Sequence, residues 1–504
     1  MLSLLSSAQR RLAEDGDRVV RALYAKDPSL WVTPDAVRWL GWLDAPRVYG
    51  ARAGEFLAFA DEVRGAGFTR VALLGMGGSS LAPEVFFRTF GPRVGFPSLV
   101  VLDTTDPSTI LSLEESGDLT RTFFLVSSKS GTTLETNALA AYFWERTGGK
   151  GAQFAAITDP GTSLAALARA RGFRRVFENA PDIGGRYSAL SCFGLVPAAL
   201  IGVDVSEVLA RAAAMAERCA TRDAGEAMVG PGLGAYFAEA WAAGRDKLTI
   251  DAGPTFASFG GWAEQLVAES TGKEGKGLVP IVDEPTGADD AGDRARVGVG
   301  PGDPLDLGAE FFHWEVATAT AGAWMGLNPF DQPNVAESKT NTERALEELA
   351  AGAVPEPAVG LDALEAAVRA WAARIRPRDY VALLAYVAPT AAHDALLARL
   401  RRAVGAARGV ATTAGYGPRF LHSTGQLHKG GGAHGVFLQI ETEDERDVAV
   451  PGAGYTFGRL KLAQALGDHR ALRARGRRVL RVRGAEEDLE RVAEAVERGV
   501  GGGV

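Results

Sequence analysis

The chain has 504 residues, of which 46% are hydrophobic and 23% are charged, and its formal net charge is −8. This composition is typical of a globular protein with two or more large domains. The negative charge argues against sequence-independent binding of nucleic acid. Neither Cys192 nor Cys219 lies in a CxxC or another usual metal-ligand spacing, so a disulfide framework or a zinc site is not expected.

The beginning of the chain predicts a cytoplasmic protein. "MLSLLSSAQRRLAEDGDRVV" becomes charged too soon for a secretory signal. No apolar run approaches the roughly 20 residues that a membrane-spanning helix needs, so no membrane partner is expected. Residues 1–55 show helical spacing without strand signals, and we predict a helical N-terminal segment there.

A repeated strand–turn–helix pattern follows. The apolar runs "RVALL", "SLVVLD", "TFFLVSS" and "AQFAAITD" each precede a short polar turn and a stretch with helical spacing. Four such units predict a parallel sheet with helices on both faces, which we assign to a first domain at 56–205. Ligands of these sheets bind beyond the carboxyl ends of the strands, where the polar turns fall.

A second α/β rhythm occupies the rest of the chain. After a mainly helical stretch, apolar runs recur as "KLTID", "GLVPIVD", "DYVALLAYV", "GVFLQIE" and "RVLRVRG". We assign 206–504 to a second, larger domain, in which the Asp-, Gly- and Pro-rich segment 283–304 is expected to be a surface excursion. The predicted fold class is therefore α/β, with two doubly wound three-layer α/β/α domains whose sheets are mostly parallel.

Two of the turns suit an anion. "GMGGSS" (Gly75–Ser80) could bring its backbone close to a ligand, and a helix start offers free N–H groups. "SSKSGTT" (residues 127–133) adds hydroxyl donors and the ammonium group of Lys129. Such a set of donors can bind a phosphate monoester. The first turn is not GxGxxG and the second is not a Walker A loop. A tight turn and an N-capped helix are the alternatives.

Four further residues are candidates for chemistry. Arg186 in "GGRYSALS" could stabilise an oxyanion, and Glu269 and Lys339 follow in "AESTGKEGKG" and "NPFDQPNVAESKTN". Each of the three is more often a solvated surface residue. In "HSTGQLHKGGGAH" the histidine spacing is not typical of zinc ligands. The glycines around His428 fit a loop that brings a proton-carrying imidazole to a ligand.

Together these segments resemble the glucose-6-phosphate isomerase family, whose members consist of two sugar-isomerase (SIS) domains. The resemblance runs from about residue 70 to 340, and its five segments are "GMGGSSLAPEV", "SSKSGTTLET", "IGGRYSALS", "AESTGKEGKG" and "NPFDQPNVAESK". It implies two SIS-type domains and reversible conversion of glucose 6-phosphate to fructose 6-phosphate through an enediol. The resemblance also implies that the protein is a homodimer and that it needs no metal or organic cofactor.

The resemblance also implies a role for each matching residue. Glu269 would move the proton between C2 and C1, Arg186 would stabilise the enediolate, and Lys339 would help to open the sugar ring. The residues around the substrate phosphate would be Gly78, Ser79, Ser128, Lys129, Ser130, Thr132 and Thr133.

The ring-opening histidine departs from the family pattern. In the family its segment lies between the glutamate and the lysine, where this chain has only His313. "HSTGQLHKGG" follows the lysine instead, which suggests reordered segments, as in the isomerase half of fused transaldolase–isomerase proteins. We expect His428 to fill the role, with His422 in reserve. Activity on mannose 6-phosphate as well, or a non-catalytic sugar-phosphate-binding homologue, are the alternatives.

Overall fold

The computed structural model describes residues 2–221, 228–284, 292–300 and 302–501. The helices are α1 Leu2–Arg11, α2 Asp17–Tyr24, α3 Ala45–Gly50, α4 Ala53–Gly65, α5 Leu81–Phe90, α6 Pro107–Glu115, α7 Leu134–Arg146, α8 Ser163–Ala170, α9 Cys192–Leu200, α10 Val205–Ala220, α11 Pro231–Ala242, α12 Phe259–Thr271, α13 Leu307–Trp324, α14 Pro333–Ala350, α15 Leu364–Ala372, α16 Ala391–Arg408, α17 Gly425–Gly430, α18 Phe457–Ala474 and α19 Leu489–Gly501. The strands are β1 Arg70–Gly75, β2 Ser98–Leu102, β3 Thr122–Ser127, β4 Phe154–Thr158, β5 Arg175–Glu178, β6 Lys247–Asp251, β7 Val279–Val282, β8 Arg294–Gly298, β9 Tyr380–Tyr386, β10 Ala411–Tyr416, β11 Gly435–Thr442 and β12 Arg478–Gly484.

The first sheet has the order β2-β1-β3-β4-β5, and all its strands are parallel. β1 to β4 are the four strands that the sequence predicts, whereas the short β5 was not predicted. In β1, Val71 and Leu73 belong to one apolar cluster and Ala72 and Leu74 to another. Helices therefore cover both faces of the sheet, which explains why its strands are continuously apolar. The three-layer α/β fold class is confirmed.

The chain leaves β1 toward β2 on one side and reaches β3 on the other, so the carboxyl ends of β1 and β3 form a topological switch point. Ligands of open parallel sheets bind in such a crevice. Gly75, the last residue of β1, pairs with Ser127, the last residue of β3. The glycine turn and the hydroxyl-rich turn thus begin at neighbouring positions.

The second half of the chain contains two parallel sheets rather than one. β7-β6-β8 forms one sheet and β10-β9-β11-β12 the other, with β7 in contact with β10. β8 lies within 283–304, so part of the predicted surface excursion is a sheet strand; residues 285–291 and 301 lie outside the described residues. Arg294 of β8 is buried and pairs with Glu284 and Asp293, which is why a charged segment belongs to the interior.

Helix α18 follows β11 in the chain and packs on α14 and β12, and its first turn also reaches α7 beside the first sheet. Phe457 and Leu460 join the apolar cluster on one face of that sheet, and Lys461 Nζ lies 2.9 Å from Asp106 Oδ2 in the turn after β2. The end of the chain therefore contributes to the region around the first switch point. None of the described helices is long and apolar enough to cross a membrane. The limits 1–55, 56–205 and 206–504 stay predictions.

Candidate active site

The glycine turn after β1 is packed against a second backbone segment. Residues 77–79 form one short 3₁₀ turn, and Gly77 has a φ of +56°. A methyl group on Gly78 would lie 1.9 Å from the carbonyl oxygen of Gly185. Because that neighbour is backbone, only glycine fits here without displacing the loop that carries Arg186.

The hydroxyl groups of the turn after β3 bind each other. Ser128 Oγ lies 2.9 Å from Thr133 Oγ1, and Ser130 Oγ lies 2.9 Å from Thr132 Oγ1. Thr133 is the N-cap residue of α7, but its side chain makes no capping hydrogen bond within the described structure. The hydroxyls therefore do not serve as the helix cap that was the alternative explanation of this segment.

The four helices that follow β1 to β4 differ in their caps. Asp106 caps α6 by accepting from Thr109 N at 3.0 Å, and Thr162 caps α8 by accepting from Ala165 N at 3.2 Å. For α5, as for α7, no capping bond from the N-cap side chain is found in the described structure. These two helices are the ones that start at the switch point. Their first N–H groups are the natural donors for an anion.

Lys129 belongs to the second turn, but its ammonium group already has partners. Nζ pairs with the carboxylate of Asp159, lies 3.2 Å from the carbonyl oxygen of Pro181 and 5.3 Å from the ring centre of Trp39. The positive charge therefore lies at the outer side of the turn. Because the ammonium group is engaged, only the field and the backbone of Lys129 are available to an anion in this turn.

Arg186 and Glu269 form a buried ion pair. Arg186 Nη1 lies 3.0 Å from Glu269 Oε1, and both side chains are almost fully buried. Glu269 lies near the end of α12, and Arg186 lies in the loop beside Gly78. A carboxylate held next to a permanent cation can take up a proton while the cation compensates a new negative charge nearby.

The other donors of Arg186 fix its orientation. Nε donates to Ser270 Oγ at 2.9 Å, and Nη2 donates to the carbonyl oxygens of Pro329 and Asp331 at 3.0 and 2.8 Å. The buried Lys273 donates to the same Asp331 carbonyl at 2.6 Å. Burial, followed by the charge of Arg186, lowers the pKa of Lys273 to about 8. Two cations thus hold the loop that precedes α14.

His422 joins this group through Gln265. Gln265 Nε2 donates to Glu269 Oε2 at 3.1 Å and to the carbonyl oxygen of His422 at 2.7 Å. The same amide and the same carbonyl are the nearest neighbours of Gly77 in the glycine turn. The carboxylate, the histidine segment and the glycine turn therefore meet around a single side chain.

The imidazole of His422 binds a carboxylate that was not predicted as a site residue. Its Nε2 lies 2.9 Å from Glu135 Oε1, and both line a cavity of about 60 Å³ together with Thr132 and Lys339. Burial raises the pKa of Glu135, but the charge and hydrogen bond of His422 and the charge of Lys339 outweigh it, so this pKa is lowered. An ionised Glu135 only accepts, hence Nε2 of His422 carries the hydrogen.

His428 lies elsewhere. It is buried among aromatic rings, and the ring of Phe437 is centred 5.1 Å from its own. Its Nδ1 finds no hydrogen-bond partner among the described residues. Burial, together with the charges of Lys429 and Arg477, places its pKa well below the usual value. The structure brings Arg186, Glu269, Lys339 and His422 to the two turns, but not His428.

Three residues of this group were missed by the sequence reasoning: Glu135, Gln265 and Gln464. Glu135 lies inside the quoted segment "SSKSGTTLET", and Gln265 lies one helical turn before Glu269, so helical spacing could have indicated both. Gln464, whose Nε2 donates to Glu135 Oε1 at 2.7 Å, is 329 residues away in sequence. No local signal points to it.

The chain was compared with families and with single proteins. The family model described as phosphoglucose isomerase matches residues 52–298. The glucose-6-phosphate isomerase of Rubrobacter xylanophilus is 28% identical over 365 residues, which cover 57% of this chain and 84% of that protein. The enzyme of the same name from Thermosynechococcus vestitus is 36% identical over 223 residues, 42% of this chain and 41% of that protein.

The matches differ in extent. In seven curated relatives of the same name, among them the Thermosynechococcus protein, the chain spans only 40–53% of the relative's length. A crystal structure of a glucose-6-phosphate isomerase from Chlamydia trachomatis has a TM-score of 0.56 and 19% identity, and covers 68% of this chain and 86% of that one. This likeness concerns the fold. Lys339 and His422 lie beyond the residues that the family model matches.

Proposed function

Because this chain is a phosphoglucose isomerase-type protein, we propose that it interconverts glucose 6-phosphate and fructose 6-phosphate. One observation carries the proposal: the amide of Gln265 binds both the carboxylate of Glu269 and the carbonyl oxygen of His422, beside the glycine turn. A base, an imidazole and an anion-binding turn are what the reaction needs within the length of one sugar.

The phosphate group binds at the switch point of the first sheet. Its oxygens accept from the first N–H groups of α5 and α7, from the backbone at Gly78, and from hydroxyl groups of the two turns. These hydroxyl groups belong to Ser79, Ser128, Ser130, Thr132 and Thr133. Lys129 contributes through its backbone and its field, since its ammonium group pairs with Asp159. Anchoring the phosphate orients the sugar toward Glu269.

Ring opening is assigned to His422 and Lys339. The step requires a proton on the ring oxygen and removal of a proton from the anomeric hydroxyl. Nε2 of His422 is engaged by Glu135, so Nδ1 is the nitrogen that exchanges a proton with the sugar. Lys339 lines the same cavity and supplies the second group. His422 thus takes the role first expected for His428.

Proton transfer between C2 and C1 is assigned to Glu269. In the direction from glucose 6-phosphate its carboxylate removes the proton from C2 and returns it to C1, while the hydroxyl proton passes from O2 to O1 in the enediolate. As Glu269 becomes neutral, the negative charge moves to the enediolate oxygen. Arg186, 3.0 Å from Glu269 Oε1, keeps its charge at any working pH and stabilises that oxygen.

Turnover of fructose 6-phosphate tests the proposal, with glucose 6-phosphate formation followed by a coupled dehydrogenase. We expect His422→Ala to lower kcat about 100-fold, in the range of a general acid–base group. His428→Ala is the matched control and should change kcat less than about threefold, although it alters the core and the thermal stability. Absence of turnover by the native protein contradicts the function, and a larger loss in His428→Ala contradicts the histidine assignment.

The same assay with mannose 6-phosphate addresses the broader substrate range. Mannose 6-phosphate is the C2 epimer of glucose 6-phosphate and presents its C2 proton from the other face, so turnover requires that the sugar rotate in the pocket. A non-catalytic sugar-phosphate binder, by contrast, would bind either substrate without releasing product. Binding without turnover in both native protein and Glu269→Gln is the outcome that identifies such a binder.

A further inference from the structure

We infer that Gln464 of α18 is a positioning residue for ring opening, because it fixes the carboxylate that orients His422. This inference rests on the proposed function. Gln464 Nε2 donates to Glu135 Oε1 at 2.7 Å, and His422 Nε2 lies 2.9 Å from the same oxygen. One carboxylate oxygen thus receives two donors, one from each side chain. Gln464 and Glu135 are both buried and line the same cavity as His422.

A third residue fixes the amide of Gln464. Thr105 Oγ1 donates to Gln464 Oε1 at 2.7 Å, and Thr105 is fully buried in the turn after β2. A flipped amide would point its oxygen at the ionised Glu135, and two acceptors would face each other. The chain of hydrogen bonds therefore runs in one direction, from Thr105 through Gln464 to Glu135.

The packing of α18 does not depend on the hydrogen bonds that run from Thr105 through Gln464 to Glu135. Lys461, one turn earlier, pairs with Asp106 and Asp444, and Phe457 is buried in the apolar cluster of the first sheet. These contacts hold the helix in place when Gln464 is replaced. What changes is the donor set of Glu135: with one donor lost, the carboxylate is free to turn away from the imidazole. The expected loss is therefore in ring opening and not in folding.

Gln464→Leu tests this inference with two substrates. Fructose 6-phosphate is mostly ring-closed, whereas 5-deoxyfructose 6-phosphate has no C5 hydroxyl and stays open. Exchange of the C1 proton in D₂O, followed by NMR, reports proton transfer with both. We expect kcat to fall about tenfold with fructose 6-phosphate, the worth of a hydrogen bond to a charged group, and less than twofold with the open substrate.

The matched control is Gln153→Leu. Gln153 is also buried and also makes two hydrogen bonds, to the carbonyl oxygens of Leu119 and Thr122, but it lies at the amino end of β4. Its kcat should be unchanged with both substrates, and its thermal midpoint measures the cost of losing a buried amide. Thr105→Val, which keeps the side-chain volume, should give a smaller loss with the closed substrate only.

The outcomes separate the inference from the function. Equal losses with both substrates, or no loss with either, contradict the positioning role of Gln464 while the native activity stands. If Gln464→Leu is poorly folded, Thr105→Val decides: a kcat unchanged with fructose 6-phosphate contradicts the inference. Absence of C1 exchange in the native protein contradicts the proposed function itself. The pH dependence of kcat adds a second readout. Gln464→Leu should shift its acid limb with fructose 6-phosphate but not with the open substrate.

Discussion

The first four strands of the first sheet and the β10-β9-β11-β12 sheet have the same order, but the two sheets differ at their switch points. In each, the chain turns outward to opposite sides from two central strands, β1 and β3 in the first sheet and β9 and β11 in the other. The helices after β9 and β11 are capped: Thr390 accepts from His393 N and Thr456 from Arg459 N, each at 3.2 Å. The helices after β1 and β3 have no such cap in the described structure.

The charges at the two switch points differ as well. Beyond β11 lies a cavity of about 350 Å³ whose lining carries charges of both signs: Glu441, Glu443, Asp444, Asp447, Arg459, Lys461 and Arg483. This second crevice is lined by charged side chains of both signs, whereas the first switch point offers glycine backbone and hydroxyls. Parallel topology therefore provides a crevice in both places, and the residues of the turns decide whether an anion is bound.

The largest expected difference in kcat is between substitutions in two buried carboxylate–arginine pairs, one in each region. Glu269 pairs with Arg186 at the first site, and Glu441 binds Arg481 through both oxygens, at 2.5 and 2.8 Å. We expect Glu269→Gln to lower kcat about 10³-fold, because the base is lost. Glu441→Gln should leave kcat within about threefold and reduce the free energy of unfolding by about 3 kcal/mol, because Arg481 loses its counter-charge.

Steady-state kinetics and urea unfolding of both variants measure these effects. A normal rate in Glu269→Gln contradicts the assignment of the base. A kcat that falls with Glu441→Gln as far as with Glu269→Gln would mean that the second switch point takes part in the reaction, and the contrast between the two regions would not hold.

An intermediate effect is expected at the glycine turn. An alanine at 78 would place its methyl group 1.9 Å from the carbonyl oxygen of Gly185, so the turn or the Arg186 loop must move. We expect Gly78→Ala to raise KM for fructose 6-phosphate at least about tenfold, through misplaced phosphate donors. Gly184→Ala is the control, since no atom lies within 4 Å of its added methyl group; an equal rise in both variants contradicts the explanation.

The smallest expected effects are those of two threonine substitutions, one at a helix cap and one in the proposed phosphate site. Thr390→Ala removes the cap of α16 and should lower the free energy of unfolding by about 1 kcal/mol without changing KM. Thr133→Val removes a hydroxyl that binds Ser128 but caps no helix in the described structure, so KM should rise while stability changes little. Denaturation midpoints and KM values of the two variants check this; a reversed pattern would show that Thr133 acts as a cap.

Local sequence was sufficient for four of the five strands of the first sheet and for the turns that follow them. β1 to β4 are mainly apolar, and β1, β3 and β4 end in glycine, serine and threonine, so pattern and turn chemistry agree. The short β5 and the charged β8 lack that signal. β8 is a strand because Arg294 finds Glu284 and Asp293 in the folded protein, which composition does not reveal.

The choice between two histidines shows what local sequence omits. His422 and His428 lie six residues apart in one glycine-containing segment, and their spacing to Gln426 made His428 the closer match to the family pattern. The partner that distinguishes them is Glu135, 287 residues from His422. Burial of His428 among Tyr380, Phe420 and Phe437 likewise depends on strands far apart in the chain.

Helix α18 has a consequence for how the protein matures during synthesis. Thr105 and Gln464 are 359 residues apart, and Lys461 reaches back over 355 residues to Asp106. The ribosome therefore releases the first sheet long before the side chains that complete its crevice exist. Such distant contacts form late in folding. If the two turns bind phosphate as proposed, a nascent chain would bind sugar phosphate before it could open the ring, and substrate affinity would precede catalysis.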